Sequence, residues 1–192
     1  HQAGVDARAG FVQQHQVGVA HEGHGDVHQL LLAVTQLAGL LVRDVADAEL
    51  LDGLLPTVDV VLDCCDNFRT RHAVNAACVK HRKPLVSGAA IGWDAQIAVY
   101  DSRTPEAPCY ACLFPPEATF EEVRCATMGV FAPLVGIIGT LQAAESLKLL
   151  AGIGSSLAGR LQMLDARTME WNEIRMQRAM HCPVCAASRQ GR

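Results

Sequence analysis

Residues 1–48 contain no lysine, isoleucine, proline, serine, asparagine, cysteine, tyrosine or tryptophan. No ammonium group is available before Lys80, and the glycines of the opening segment do not follow an apolar strand. The strand–glycine loop–helix unit that holds phosphates on backbone amides therefore has no counterpart there. Nowhere does the chain carry a lysine or arginine run, and its net charge is −4, which leaves no electrostatic footprint for nucleic acid. The N-terminal residues lack a basic stretch followed by an apolar one, so no secretory signal is expected. The most apolar stretch, Ala132 to Ala151, is interrupted by Gln142, Glu145 and Lys148. It reads as a helix of a soluble protein, and no membrane partner is expected.

What is present suits a globular domain. Half of the 192 residues are apolar and 19% are charged, enough to bury a sizeable core. Eight cysteines that read as ligands and core residues suit a reducing, cytoplasmic setting. The composition divides the chain near residue 48. Before it lie five of the eight histidines. His21, His24 and His28 have spacings that could share a helical face and hold a metal, but Gly23 and Gly25 lie among them and weaken any helix. A polar, loosely helical segment is the competing reading, with a helix over Leu30 to Val45 set by Leu30, Val34, Leu37 and Leu41.

From Glu49 the texture becomes alternating α/β. Val58 to Asp63 is a short apolar run typical of a buried parallel strand. Asn67 to His81 predicts a helix, Leu85 to Gly88 a strand, and Gln96 to Tyr100 another. Pro133 opens a long helix, since proline is tolerated in a first turn, and Gly152 and Gly154 mark its end. Late strands are predicted near Leu161–Leu164 and Met169–Met176. The order strand–helix–strand argues for an α/β, Rossmann-like doubly wound sheet with antiparallel C-terminal strands. Its N-terminal half is incomplete, because residues 1–48 supply no matching unit.

Two Cys-x-x-Cys pairs, Cys109/Cys112 and Cys182/Cys185, carry the strongest local signal. Two knuckles supply the four soft ligands that tetrahedral zinc prefers. A redox dithiol or a disulfide is the alternative, but such motifs start a helix after a strand, and Cys182 follows a charged stretch near the C-terminus. A zinc site here ties a long loop to the tail of a larger fold.

Asp66 and Asn67 lie at the carboxyl end of the first good strand, where open α/β sheets bind ligands. An exposed carboxylate there can hold magnesium on a polyphosphate; equally, either residue can cap the following helix. Cys64 and Cys65 are expected to pack in the core. Cys125 precedes the long helix, where a thiol can act as a nucleophile or be an inert loop residue. Arg69, Arg71 and Arg124 are candidates for binding phosphate or a partner's carboxylate, or for a solvated surface. Trp93 and Trp171 are expected to pack.

Five stretches, Val60–Asn67, Pro84–Ile91, Cys109–Pro115, Ala132–Gln142 and Cys182–Cys185, together resemble the MoeB/ThiF/HesA family over about residues 49–185. These are molybdopterin-synthase and thiamine sulfur-carrier adenylyltransferases, relatives of ubiquitin-activating enzymes. The resemblance implies a homodimeric nucleotidyltransferase that uses magnesium ATP to adenylate the C-terminal glycine of a small ubiquitin-like sulfur carrier. It implies that Asp66 contacts magnesium and ATP with Asn67 beside it. It further implies that Cys109, Cys112, Cys182 and Cys185 hold structural zinc, and that Cys125 occupies the place of a cysteine linked covalently to the carrier in some members.

The family's Gly-rich turn, ribose-binding acid and ATP-binding cations are missing from residues 1–48. That segment is therefore expected to be atypical, either foreign or disordered. Residues 49–188 would then be the C-terminal part of the adenylyltransferase domain, with impaired activity. The alternative is a non-catalytic, zinc-stabilised protein-binding module derived from the same family. An NAD-type oxidoreductase has no fingerprint to support it.

Overall fold

The computed structural model describes residues 46–118 and 128–186. In chain order these form α1 (Ala48–Leu54), a 3-10 turn (Leu55–Thr57), β1 (Val61–Asp63), α2 (Phe68–His81), β2 (Pro84–Ile91) and β3 (Asp94–Asp101). A one-turn helix α3 (Tyr110–Leu113), then α4 (Ala132–Ala151), β4 (Arg160–Asp165) and β5 (Glu170–Arg175) complete the order. The expected helix over Leu30 to Val45 and the His21, His24 and His28 set lie outside the described residues.

The five strands lie side by side in chain order. β1 and β2 are parallel, Val61 opposite Leu85, so a crossover must join them, and α2 is that crossover. β2–β3, β3–β4 and β4–β5 are antiparallel. The α/β architecture and the antiparallel C-terminal strands match the sequence reading.

Local chemistry explains the boundaries. Asn67 is extended, and its side chain accepts a hydrogen bond from Thr70 N at 2.8 Å, capping α2. The helix closes on Arg82 in the left-handed region, φ 53°, and Pro84 begins β2. α4 carries Pro133 in its first turn and ends on Gly152 at φ 63°, where glycine meets no Cβ penalty.

Successive residues of β2 and β3 point to opposite faces, and both faces are covered. Leu85, Ala98 and Tyr100 join Leu51, Leu55, Val74, Ala77, Cys78 and Tyr110 under α1, α2 and α3. Val86, Ile97 and Val99 join Leu134, Ile138 and Leu164 under α4. This is why the strands read as continuous apolar runs. By length and composition α4 could cross a membrane. Its buried face, however, carries Gln142, Glu145 and Ser146, with Glu145 accepting from Leu157 N at 2.8 Å.

The approach of α4 to β2 depends on Gly88. A Cβ there would lie 2.5 Å from Gln142 Cδ and Oε1 and 2.7 Å from Ile138 Cγ2. Gly88→Ala is expected to destabilise the chain by about 1–3 kcal/mol through overpacking, read from the urea midpoint at unchanged m-value.

Several sequence expectations are corrected. Trp93 and Trp171 are 45% and 43% exposed. Trp93 lies on the β2–β3 turn, stacked on Phe131 at 4.3 Å. Trp171 sits on β5, which is exposed along its whole length. Cys64 is exposed and Cys65 half-buried, while Cys78 is the thiol that enters the core. Burial needs a facing layer, and the chain turns away from the sheet after Asp63.

Candidate functional site

β1 ends in Asp63, which is 2% exposed, and such a carboxylate must be paired. Its Oδ2 accepts from Arg71 Nη1 at 2.9 Å and from Ser87 Oγ at 3.0 Å, and its Oδ1 accepts from Cys65 N at 3.0 Å. Arg71 comes from the first turn of α2 and is itself buried. Its Nη1 also donates to Ser87 Oγ at 2.9 Å, and its Nη2 donates to Gly88 O at 2.9 Å and to Cys65 O. From the opposite face Gln142 Nε2 donates to Asp63 O at 3.0 Å and Val86 O at 3.1 Å. Cys64 Sγ donates to Gln142 Oε1 at 3.4 Å. Arg71 is thus an internal ion-pair partner rather than a surface residue. The sequence offered Arg71 for phosphate, a partner's carboxylate or a solvated surface and Gln142 for no site, and neither stood out as an internal partner of Asp63. The only sign was a charge inside a helix face of otherwise small and apolar residues.

Beyond this network the chain opens into a cleft of ≈ 790 Å³ at the carboxyl ends of β1 and β2, the position where open α/β sheets take ligands. Asp66 lines it and is exposed. Of the two candidates for capping α2, Asn67 takes the role, which leaves the Asp66 carboxylate facing the cleft. Asn67 Nδ2 donates weakly back to Asp66 Oδ1 at 3.4 Å.

Two further acids line the cleft, Asp94 and Asp165, and Arg167 pairs with both, at 3.3 and 2.9 Å. The Arg167 hydrogen bonds hold the Asp165 carboxyl below its ordinary range. Among the described residues lining the cleft the only cation is Arg71, and Asp63 already neutralises it. Burial first, then the Asp63 charge, pushes the Cys65 thiol up to about 12, so it is no nucleophile at neutral pH. Cys125 lies outside the described residues.

The second centre is built from Cys109, Cys112, Cys182 and Cys185, whose Sγ atoms all lie within 4.8 Å of one another. Neighbouring separations are 3.9 Å (Cys109–Cys112), 3.6 Å (Cys109–Cys182) and 3.5 Å (Cys112–Cys185). A tetrahedron with Zn–S bonds of about 2.3 Å has edges of about 3.8 Å, so the sulfurs fit zinc. They are too far apart for disulfides. The hydrogen bond from Cys109 draws Cys112 down to about 4 and pushes Cys109 itself far above its usual range. One thiolate is favoured already, and a bound cation replaces the remaining protons.

The surroundings are arranged for the cluster. Asn75 on α2 is 1% exposed, accepts from Tyr110 N at 2.9 Å and donates to Cys109 Sγ at 3.7 Å. Val79 of α2 packs against the cysteines. The knuckles thereby fasten the tail to the helix that also carries Asn67 and Arg71.

An open α/β sheet, a cleft at its strand ends and a four-cysteine cluster between loop and tail that could hold zinc define a Rossmann-like protein. The chain belongs to the ThiF family, whose model matches residues 32–184, a range that opens ahead of Glu49. It is 44% identical over 155 residues to the sulfur carrier protein ThiS adenylyltransferase of Escherichia coli, covering 80% of this chain and 59% of that protein. It is 43% identical over 156 residues to the molybdopterin-synthase adenylyltransferase of the same organism, with the same coverage. The chain therefore spans about three-fifths of the length of these relatives. The E. coli MccB structure solved with ATP superposes with a TM-score of 0.58 at 20% identity, over 72% of this chain and 43% of MccB, a likeness of fold.

Proposed function

We propose that this chain is the C-terminal part of an adenylyltransferase that activates the C-terminal glycine of a small ubiquitin-like sulfur carrier, and that its activity is weak. The observation that carries this reading is the exposed Asp66 carboxylate at the strand end, left facing the cleft because Asn67 caps α2. Asp66 would hold magnesium on ATP there, and the ion would supply charge neutralisation at the phosphates. A carboxylate oxygen of the carrier attacks the α-phosphorus, the bond to the bridging oxygen breaks, and pyrophosphate leaves with the electron pair. The cleft must position two anions for this, and the only cation among its described lining residues is already paired. That lining supports the reading of weak activity.

Zinc on Cys109, Cys112, Cys182 and Cys185 would be structural. Cys125 is proposed as the thiol that links covalently to the carrier. A homodimer, a cytoplasmic location and a boundary between residues 1–48 and 49–188 belong to the same proposal. Intact mass, together with the coding sequence read in the other frames, tests the status of residues 1–48. A frame upstream of Glu49 that encodes no strand–Gly-rich–helix unit removes the case for a foreign segment.

The deficit of cations also favours a second reading, a non-catalytic zinc-stabilised module that binds a partner protein. ATP–pyrophosphate exchange with a candidate carrier separates the two. Slow exchange that Asp66→Asn lowers by about 100-fold, the scale of losing one charge-stabilising group, is the expected result. No exchange from a folded, zinc-loaded chain supports the module.

A further inference from the structure

We propose that Arg71 is a positioning residue for the Asp66 carboxylate, assisted by Gln142; this role rests on the adenylyltransferase reading above. Asp66 lies only three residues beyond the last residue of β1 and one residue before the cap of α2. The intervening Cys64 and Cys65 are therefore the segment that aims it. Each is held by a group from a different layer. Cys65 O accepts from Arg71 Nη2, Cys65 N donates to Asp63 Oδ1, and Cys64 Sγ donates to Gln142 Oε1.

Arg71 does more than hold one carbonyl. With Asp63, Ser87, Gly88 and Cys65 as partners, it joins the carboxyl end of β1 to that of β2 and both to the Asp66 loop. A planar guanidinium can do this because its donors diverge in a fixed fork. A lysine keeps the charge beside Asp63 but has a single nitrogen and cannot span the same carbonyls. Burial of Arg71 and Asp63, with side chains 7% and 1% exposed, makes this fork part of the interior rather than a group free to bind phosphate. Arg71 thus acts on the ligand through Asp66.

The same geometry separates positioning from direct contact. If Arg71 works through Asp66, removing its fork has no further effect once the Asp66 carboxylate is gone. A residue touching phosphate, or one that merely stabilises the fold, weakens binding in either background.

The test uses the full, zinc-loaded chain and manganese ATP, with bound manganese read by electron paramagnetic resonance and folding by thermal melting. Arg71→Lys is expected to weaken manganese binding by about 10-fold, the lower end of what loss of a ligand-orienting group costs. It is expected to leave ATP affinity unchanged in the Asp66→Asn background. Should Arg71→Lys not fold, Asp63→Asn/Arg71→Gln replaces the ion pair by amides of similar volume and is read in the same way. Wild-type affinity in these variants overturns the proposal, as does an equal loss with and without Asp66. A wild-type chain that binds no manganese ATP overturns the adenylyltransferase reading first, and the positioning role with it.

Discussion

Cys185→Ala is expected to release the zinc and to lower stability by about 4 kcal/mol. The cluster closes a loop between Cys112 and Cys182, and cross-linking a loop of roughly 70 residues removes about 4 kcal/mol of chain entropy from the unfolded state. With one ligand missing, three thiols remain around Val79 and Asn75 with no cation to balance their charge. For a domain of this size the loss corresponds to about 10 °C in Tm. Elemental analysis gives the metal content, and scanning calorimetry gives the shift. A chelator should reproduce both effects in the wild type and change nothing further in the variant. Cys78→Ala is the control. It removes a core sulfur without touching the cluster, so its zinc content should match that of the wild type.

Arg71→Met is the second large effect. It leaves Asp63 at 2% exposure without its cation, and Gly88 O and Ser87 Oγ lose a donor. Breaking a buried pair from one side typically costs 3–5 kcal/mol, because an uncompensated charge stays inside. Chemical denaturation should show a loss of about 4 kcal/mol. Asp63→Asn in the same chain should restore most of it, since the amide carries no charge, its oxygen still accepts from Cys65 N, and its nitrogen can donate to Ser87 Oγ. This non-additivity distinguishes the buried pair from two independent contacts. Equal and additive losses would show that the pairing is not what Asp63 requires.

These effects divide along the line between what was legible in the sequence and what was not. The four-cysteine cluster was legible because a Cys-x-x-Cys knuckle is local: the two-residue gap sets the reach of its sulfurs whatever surrounds it. Strands β2 and β3 and helices α2 and α4 were legible because burial on both faces writes long apolar runs, and Pro133, Gly152 and the Asn67 cap punctuate them. α1 and α3 are one or two turns long, too short for a period to show.

Arg71 was misread for a different reason. Its partners come from the strand before and the strand after its own helix, so only the β1–α2–β2 crossover brings Asp63, Ser87 and Gly88 around it. Gln142 is similar, lying 79 residues from the Asp63 carbonyl it satisfies. Trp93 and Trp171 failed in the opposite direction. Large aromatics prefer burial, but the outer strand offered Trp171 no facing layer among the described residues, and on the β2–β3 turn Trp93 stacks on Phe131 and stays half exposed. Position 66 was a balanced choice between cap and ligand group, and the Thr70 N–H turns to Asn67, so the cap is Asn67 and not Asp66.

In the reading proposed above, a ThiF-family sheet tied by a four-cysteine cluster works through Asp66 in a cleft whose one cation among the described lining residues is Arg71. Calorimetric titration of the purified, zinc-loaded chain with ATP, with and without magnesium, tests it most directly. The account predicts weak binding that magnesium strengthens and that falls in Asp66→Asn to the level seen without magnesium. Binding that magnesium does not strengthen and that Asp66→Asn leaves unchanged, or no binding at all by a folded zinc-loaded chain, would contradict it.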